Sequence, residues 1–478
     1  MTQFLGISSR VHALLRMAAP MLRTISSIKP LRLLAFFILS FALATQPAMA
    51  QSILRDAETE ALFADMAKPM IVAAGLEPGN VQVLLIGDPE INAFVAGGQI
   101  VYVHSGLILA ADNVNQLQGV VAHELGHITG GHVIRFGEGM KAVTGITLLS
   151  LLLGVAAMAA GGGDAGMGII AAGQQAAMGK FLAFSRTQES SADAAGVSFL
   201  NKAGVSGKGM LDFFGKLRHE EYRLSSSYAD TDPFAQTHPM SAERQATLEQ
   251  ALKSAPSWTA RTDPALEARF QRVKAKLAGF VQDPDVTLRQ YPERDQSLTA
   301  HYARAYAWHR AAYPEKASAE AAKLIAAAPH DPYFLELEGQ ILLESGKPKD
   351  ALPALREAVI RSNNQPLIAV LFGHALIATE DGANFDEARK ILRLAVQRDN
   401  QNPDAWYQLG IIYDREGDHA RAALATAERY NLENQPQLAL DPAQNAFAML
   451  PQGTSDWLRA QDIVMVSKTA LAERKKHK

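Results

Sequence analysis

The chain is 478 residues long, with 48% hydrophobic residues, a net charge of −3 and no cysteine. That length allows two or three packed domains, and the lack of cysteine excludes a disulfide scaffold and any thiolate-bound metal. The first fifty residues hold five basic and no acidic side chains, which leaves −8 for the remainder. A mildly acidic body without a basic stripe gives no footing for nucleic-acid binding.

The N-terminus reads as a Sec-type signal peptide over residues 1–50. Arg10, Arg16, Arg23, Lys29 and Arg32 precede an apolar run from Leu33 to Ala44, and Ala48-Met49-Ala50 offers a small-residue cleavage site before Gln51. The basic region is long, so Met17 and Met21 are alternative starts. The apolar run is short for a span, which favours cleavage after Ala50 and a periplasmic protein over an uncleaved anchor.

Residues 51–260 form the next unit. Val81 to Ile86 and Gln99 to Val103 are strand-like, separated by turn signals at Gly87-Asp88-Pro89 and Gly97-Gly98. A strand beside the helix that follows would let an extended peptide add by main-chain hydrogen bonds. Tyr102 or His104 could line such an edge, although a plain core strand explains either.

Leu117, Val120, Val121 and Ile128 then set an apolar helical stripe. Asp112 or Asn113 could cap the helix start, and Gly130-Gly131 could end or kink it. Inside it stands His123-Glu124-Leu125-Gly126-His127. On a helix, positions i and i+4 share a face, so both imidazoles can reach one ion. Glu124 lies about 100° further round, where it can address water at that ion. Neutral imidazoles suit zinc, and a carboxylate beside the metal suits a general base.

The stretch from Ala142 to Gly163 carries no charge, and a second apolar run extends to Gly179. We read 142–179 as a mobile apolar flap or buried hairpin near the site, with peripheral membrane contact or membrane insertion as the alternatives.

Ser185 to Gly204 is helical in character. Glu189 and Asp193 stand four apart among small residues (Ser190, Ser191, Ala192, Ala194, Ala195, Gly196), which favours close helix packing. A natural division places Glu189 on the zinc as third protein ligand and Asp193 behind a ligand histidine.

HELGH followed by Ser185-Arg186 and Glu189-Ser190-Ser191-Ala192-Asp193 resembles the HExxH metallopeptidases with a glutamate third ligand, which include CAAX prenyl endopeptidases and bacterial heat-shock membrane proteases. Asn92-Ala93-Phe94, Ile100 to Leu107, Thr237-His238-Pro239 and Glu243-Arg244 are similar to the same family, so the likeness spans Asn92 to Arg244. It implies a mainly helical, zincin-like α+β domain with a small sheet and one Zn2+ per chain. His123, His127 and Glu189 would hold the metal, with Glu124 as base. In periplasmic members of the family that carry repeats, a histidine matching His238 can take the fourth metal position and keep the enzyme latent. Arg244 matches an active-site arginine. Either Arg244 or His238 could assist the oxyanion.

Residues 261–296 read as connecting helices and 297–435 as a TPR repeat domain. Pro332, Pro366 and Pro403 are each followed seven residues on by a glycine, Gly339, Gly373 and Gly410. A period near 34 residues with small residues at helix crossings is the signature of an all-α TPR solenoid. The extra residues of the middle repeat fit a loop at Thr379 to Asn384. Three repeats meet the minimum for a stacked core, with helices from Ser297 to Ala312 as a cap. Residues 436–478 form a helical tail with a basic end, either folded back or loose. The resemblance implies polypeptide substrates, chiefly outer-membrane proteins, and a β-barrel assembly machine recruited by the repeats. A chaperone or assembly adaptor with latent proteolysis, and a membrane-embedded peptidase, are the rival readings.

Overall fold

The computed structural model describes residues 53–159, 163–225, 238 and 241–476. The signal-peptide reading of residues 1–50 lies outside the described residues, as do Thr237 and Pro239.

The sheet has four strands in the order β1-β2-β4-β3. β1 (Ile53–Leu54) runs into helix α1 (Ala57–Ala73), then β2 (Gln82–Ile86), β3 (Ala93–Ala96) and β4 (Ile100–His104) follow. β2 and β4 are parallel, with Ile86 beside His104, and β3 is antiparallel to β4, with Phe94 beside Tyr102. The β3–β4 turn uses Gly97 and Gly98, both at positive φ, a conformation glycine takes at little cost. β3 is an edge strand.

α2 (Ser105–Ala110) leads into α3 (Val114–Gly130), which is buried along nearly its whole length. Asn113 caps α3 by accepting from the Gln116 backbone, and Gly131 ends it at φ 62. Leu117, Val120, Val121 and Leu125 join the main core with Phe63, Met66, Met70, Phe213 and Phe214.

α4 (His132–Ala159) and α5 (Gly163–Lys202) form a helical hairpin, so the expected flap is two continuous helices. Small residues set their contact: a Cβ at Gly154 would lie 2.8 Å from the Gly166 carbonyl, and one at Gly173 would meet Ser150 at 2.0 Å. The outer faces are bare. Leu152 is 68% exposed and Met167 60% exposed, with Leu148, Leu149, Leu151 and Leu153 also in the open. The hairpin is therefore not buried, because it extends past the core that would cover it. Among the described residues, no helix is long and apolar enough to cross a membrane.

α6 (Lys208–Ser225), α7 (Ala242–Ser254) and α8 (Pro264–Val281) complete this half. α9 (Pro284–Gln290), α10 (Leu298–Arg310) and α11 (Pro314–Ala327) precede four helix pairs. These are α12 (Pro332–Glu344) with α13 (Pro348–Arg361), α14 (Pro366–Ala378) with α15 (Phe385–Arg398), α16 (Pro403–Arg415) with α17 (His419–Leu432), and α18 (Pro436–Met449) with α19 (Ser455–Lys476). Pro332, Pro366 and Pro403 each occupy the first helical position, where their missing N–H costs nothing. A Cβ at Gly339 would strike Leu355 at 2.3 Å, and one at Gly373 would strike Leu392 at 2.6 Å. The repeated glycines thus mark the crossings within pairs. Leu424, Ala427, Ala439, Ala443 and Ile463 share a cluster, so the C-terminal tail packs as the last pair rather than hanging loose.

Charged residues join the two halves. Glu58 on α1 accepts from Tyr302 at 2.7 Å and pairs with Arg272 at 2.8 Å, and Arg272 reaches Asp331 at 2.8 Å. Lys276 is buried against Asp56, and Arg55 pairs with Asp399 at 2.9 Å. Removing one partner of the buried Lys276–Asp56–Glu58 set leaves an uncompensated charge, which costs about 3–5 kcal/mol.

Candidate metal centre

The site forms where α3 crosses α5. A Cβ at Gly126 would lie 2.6 Å from the Ala192 carbonyl oxygen, and one at Gly196 would lie 3.3 Å from the backbone of Ala122 and His123. These close approaches bring Glu189 and Asp193 against the two histidines of HELGH. The small residues around the acidic pair serve this crossing.

His123 Nε2 and His127 Nε2 are 3.1 Å apart. The Glu189 carboxylate stands 3.3 Å from His123 and 3.4 Å from His127. His238 brings Nδ1 to 3.3 Å from His123 Nε2 and 3.0 Å from Glu189. All four side chains are buried, and their donor atoms lie within 4.8 Å of one another. A tetrahedral ion with bonds of about 2.0–2.2 Å needs donors about 3.3–3.6 Å apart. The observed separations stand within a few tenths of an ångström of that, so the residues fit a small divalent cation.

Behind the donors lies a framework of charge. Asp193 accepts from His123 Nδ1 at 3.0 Å. Arg244, the fourth residue of the segment begun by the Ser241 cap of α7, donates to both oxygens of Asp193 and reaches Glu189 at 3.0 Å. Its guanidinium faces carboxylates instead of the open cavity, so the geometry makes it a holder of acids. Burial works against ionisation of Glu189, yet His238 and His123 outweigh it and hold the carboxyl well below its usual range. Asp193 is held down in the same way by Arg244 and His123 against burial. Burial likewise opposes a charge on His123, but Asp193 and Glu189 raise it to about 9, whereas burial and the neighbouring His123 lower His127 to about 2. Metal binding to such a set displaces the proton from His123.

Glu124 is 1% exposed, and its Oε1 has no hydrogen-bond partner among the described residues. Burial raises its pKa. His238 Nε2 stands 3.7 Å from that oxygen. The cluster opens on a cavity of about 470 Å³ whose apolar wall includes Phe94 and Val95 of β3 and Val133, Phe181, Leu182 and Phe184 of the hairpin. All seven residues singled out from the sequence (His123, Glu124, His127, Glu189, Asp193, His238 and Arg244) meet here. One neighbour was missed: His132 Nδ1 lies 2.9 Å from His127 Nδ1. The signal was present as a histidine five residues on, directly after two glycines.

Comparison with known proteins agrees with this geometry. Residues 53–252 match the model of peptidase family M48. The chain is 27% identical over 392 residues to the β-barrel assembly-enhancing protease of Yersinia pestis, covering 78% of this chain and 76% of that protein. The protein of the same description in Escherichia coli K12 is 25% identical over 374 residues, covering 77% of this chain and 75% of the relative. A solved TPR protein, YrrB, described as having an unusual peptide-binding site, is 22% identical with a TM-score of 0.31, covering 37% of this chain and 91% of that one. Over residues 53–252 the chain is therefore similar to peptidase family M48, and it is a metalloprotease.

Proposed function

We propose that the chain is a periplasmic zinc endopeptidase that cleaves misassembled outer-membrane proteins. The observation that carries this reading is the convergence of His123, His127 and Glu189, with the buried Glu124 carboxylate beside them. An all-nitrogen and oxygen donor set with near-tetrahedral spacing suits zinc. His123, His127 and Glu189 hold the ion, Asp193 fixes the ring of His123, and Arg244 fixes Asp193. Zinc at this position supplies Lewis acidity to the attacking water and the scissile carbonyl. Glu124 takes the proton of the attacking water and passes it to the leaving amine. The outer edge of β3, unpaired by any strand among the described residues, is suited to pair with an extended peptide, whose side chains would enter the apolar wall of the cavity.

His238 supports latency. It lies between Glu189 and Glu124 and supplies the fourth donor, so it occupies the space a substrate needs. The periplasmic assignment rests on the Sec-type pattern and on the relatives' description. The helix pairs are the candidate surface for an assembly machine, and the exposed hairpin offers apolar contact to unfolded clients or a membrane surface.

The test is zinc content together with hydrolysis of an unfolded porin by wild type and Glu124→Gln. One zinc in each, with cleavage by the wild type and a loss of about 10²–10⁴ in the variant, supports the reading. A variant that cleaves like wild type overturns the role of Glu124. Zinc without cleavage by either protein, alongside rescue of porin assembly by both, favours the chaperone and adaptor reading.

A further inference from the structure

We infer that His132 is a positioning residue for the metal centre: it fixes the tautomer and ring orientation of His127 by accepting a hydrogen bond from its second nitrogen. The inference rests on the proposal that His127 binds the metal.

His127 turns Nε2 towards His123 Nε2 and Glu189, at 3.1 and 3.4 Å. For that nitrogen to bind a cation it must present a lone pair. A neutral imidazole then carries its one proton on Nδ1. His132 Nδ1 is 2.9 Å from that atom, with the rings edge to face at 79° and their centroids 4.9 Å apart. The nitrogen of His132 facing His127 must therefore accept, which places the proton of His132 on Nε2.

The backbone is shaped to make this contact. α3 ends at Gly131, whose φ of 62 favours glycine, and α4 begins at the very next residue. Turning the chain at this one residue lays the His132 ring against the last turn of α3. The ring then lies across Gly130, where a Cβ would stand 2.3 Å from His132 Nε2. Gly131 supplies the turn and Gly130 supplies the space. His132 itself is only 6% exposed, although it lines the substrate cavity.

The two histidines are thus oriented in different ways. His123 leans on the Asp193 carboxylate, itself clamped by Arg244. His127 leans on a neutral ring. A carboxylate partner raises ligand basicity, so His127 is the weaker donor of the pair, and its hold depends on geometry more than on charge.

The experiment measures zinc affinity by chelator competition, and the visible spectrum of the Co2+-substituted protein, for wild type, His132→Ala, His132→Asn, Gly130→Ala and His127→Ala. Thermal unfolding of each metal-free protein is read beside them. His132→Ala should weaken zinc by roughly 10- to 100-fold and alter the Co2+ spectrum while the metal-free unfolding temperature stays put. His132→Asn, whose amide oxygen can still accept, should recover most of the affinity. Gly130→Ala should reproduce the loss with His132 still present. A His132→Ala protein within about twofold of wild-type affinity, with an unchanged Co2+ spectrum, overturns the inference. A loss of affinity matched by an equal fall in metal-free stability also overturns it, since the role would then be structural. If His127→Ala keeps wild-type affinity, the ligand assignment beneath the inference fails instead.

Discussion

Glu124 Oε1 and His238 Nε2 face each other across 3.7 Å, inside the space that water and a scissile peptide would share. The proposed base and the proposed plug are therefore neighbours, and His238 reaches the metal donors through its other nitrogen. Opening the site requires His238 to leave both.

Replacing His238 with alanine is expected to raise casein hydrolysis by roughly tenfold or more, because a site closed most of the time lowers apparent activity by its closed fraction. Zinc should remain bound, since His123, His127 and Glu189 are untouched. Unchanged or lower activity with full zinc would show that His238 contributes to turnover instead of restraining it.

Asp193→Asn keeps the shape of the side chain but removes the charge shared by His123 and Arg244. Zinc affinity should fall by about 10- to 100-fold, and Arg244→Ala should do likewise by releasing Asp193. The two losses should add only in part, because Arg244 acts on the His123 ring through Asp193 as well as touching Glu189 directly. Fully additive losses in the double variant would show that Arg244 acts through Glu189 and not through Asp193.

Stability should depend on pH through the seam between the two halves. Burial, with Asp56 and Glu58 adding to it against Lys276, raises Glu336 to about 8, and its Oε2 has no partner among the described residues. An acid with a raised folded pKa binds its proton more tightly when folded. Its contribution is therefore complete below the ordinary carboxylate pKa and is lost as pH rises to about 8. Glu336→Gln should flatten the decline in unfolding temperature over this window. Parallel curves for the two proteins would place the proton elsewhere.

The hairpin should bind apolar surfaces through its bare leucines. Leu149 and Leu152 are 58% and 68% exposed, and burying a leucine contributes about 1.5–3 kcal/mol. Leu149→Gln with Leu152→Gln should weaken binding to lipid vesicles or to an unfolded porin by at least about tenfold, with zinc content unchanged. Equal binding by both proteins would make the hairpin a spacer.

The metal centre was legible because its chemistry is written at fixed helical spacing. His123 and His127 stand one turn apart, as do Glu189 and Asp193, and the small residues near Asp193 announced a close crossing. The repeat pairs were legible through proline at helix starts and glycine at crossings. His132 was missed because its contact depends on a one-residue turn at Gly131 that brings i and i+5 together, outside the i+3 and i+4 rule. The hairpin's exposure was also hidden. An uncharged run from Ala142 suits burial, a membrane or a bare surface equally well, and only the three-dimensional limit of the core decides among them. The Glu58, Arg272 and Asp331 seam joins residues far apart in the chain and carries no periodic signal.

α5 begins at the hairpin tip and carries Glu189 and Asp193 without a break. From Asp164 to Glu189 the arm is about 37 Å long at 1.5 Å per residue. Such a helix is a lever. A push of about 3 Å on the apolar tip tilts it by only about 5° over that length, and no loop intervenes to absorb the turn before it reaches the carboxylate. Whatever presses on the exposed end is mechanically in series with the ligand at the other.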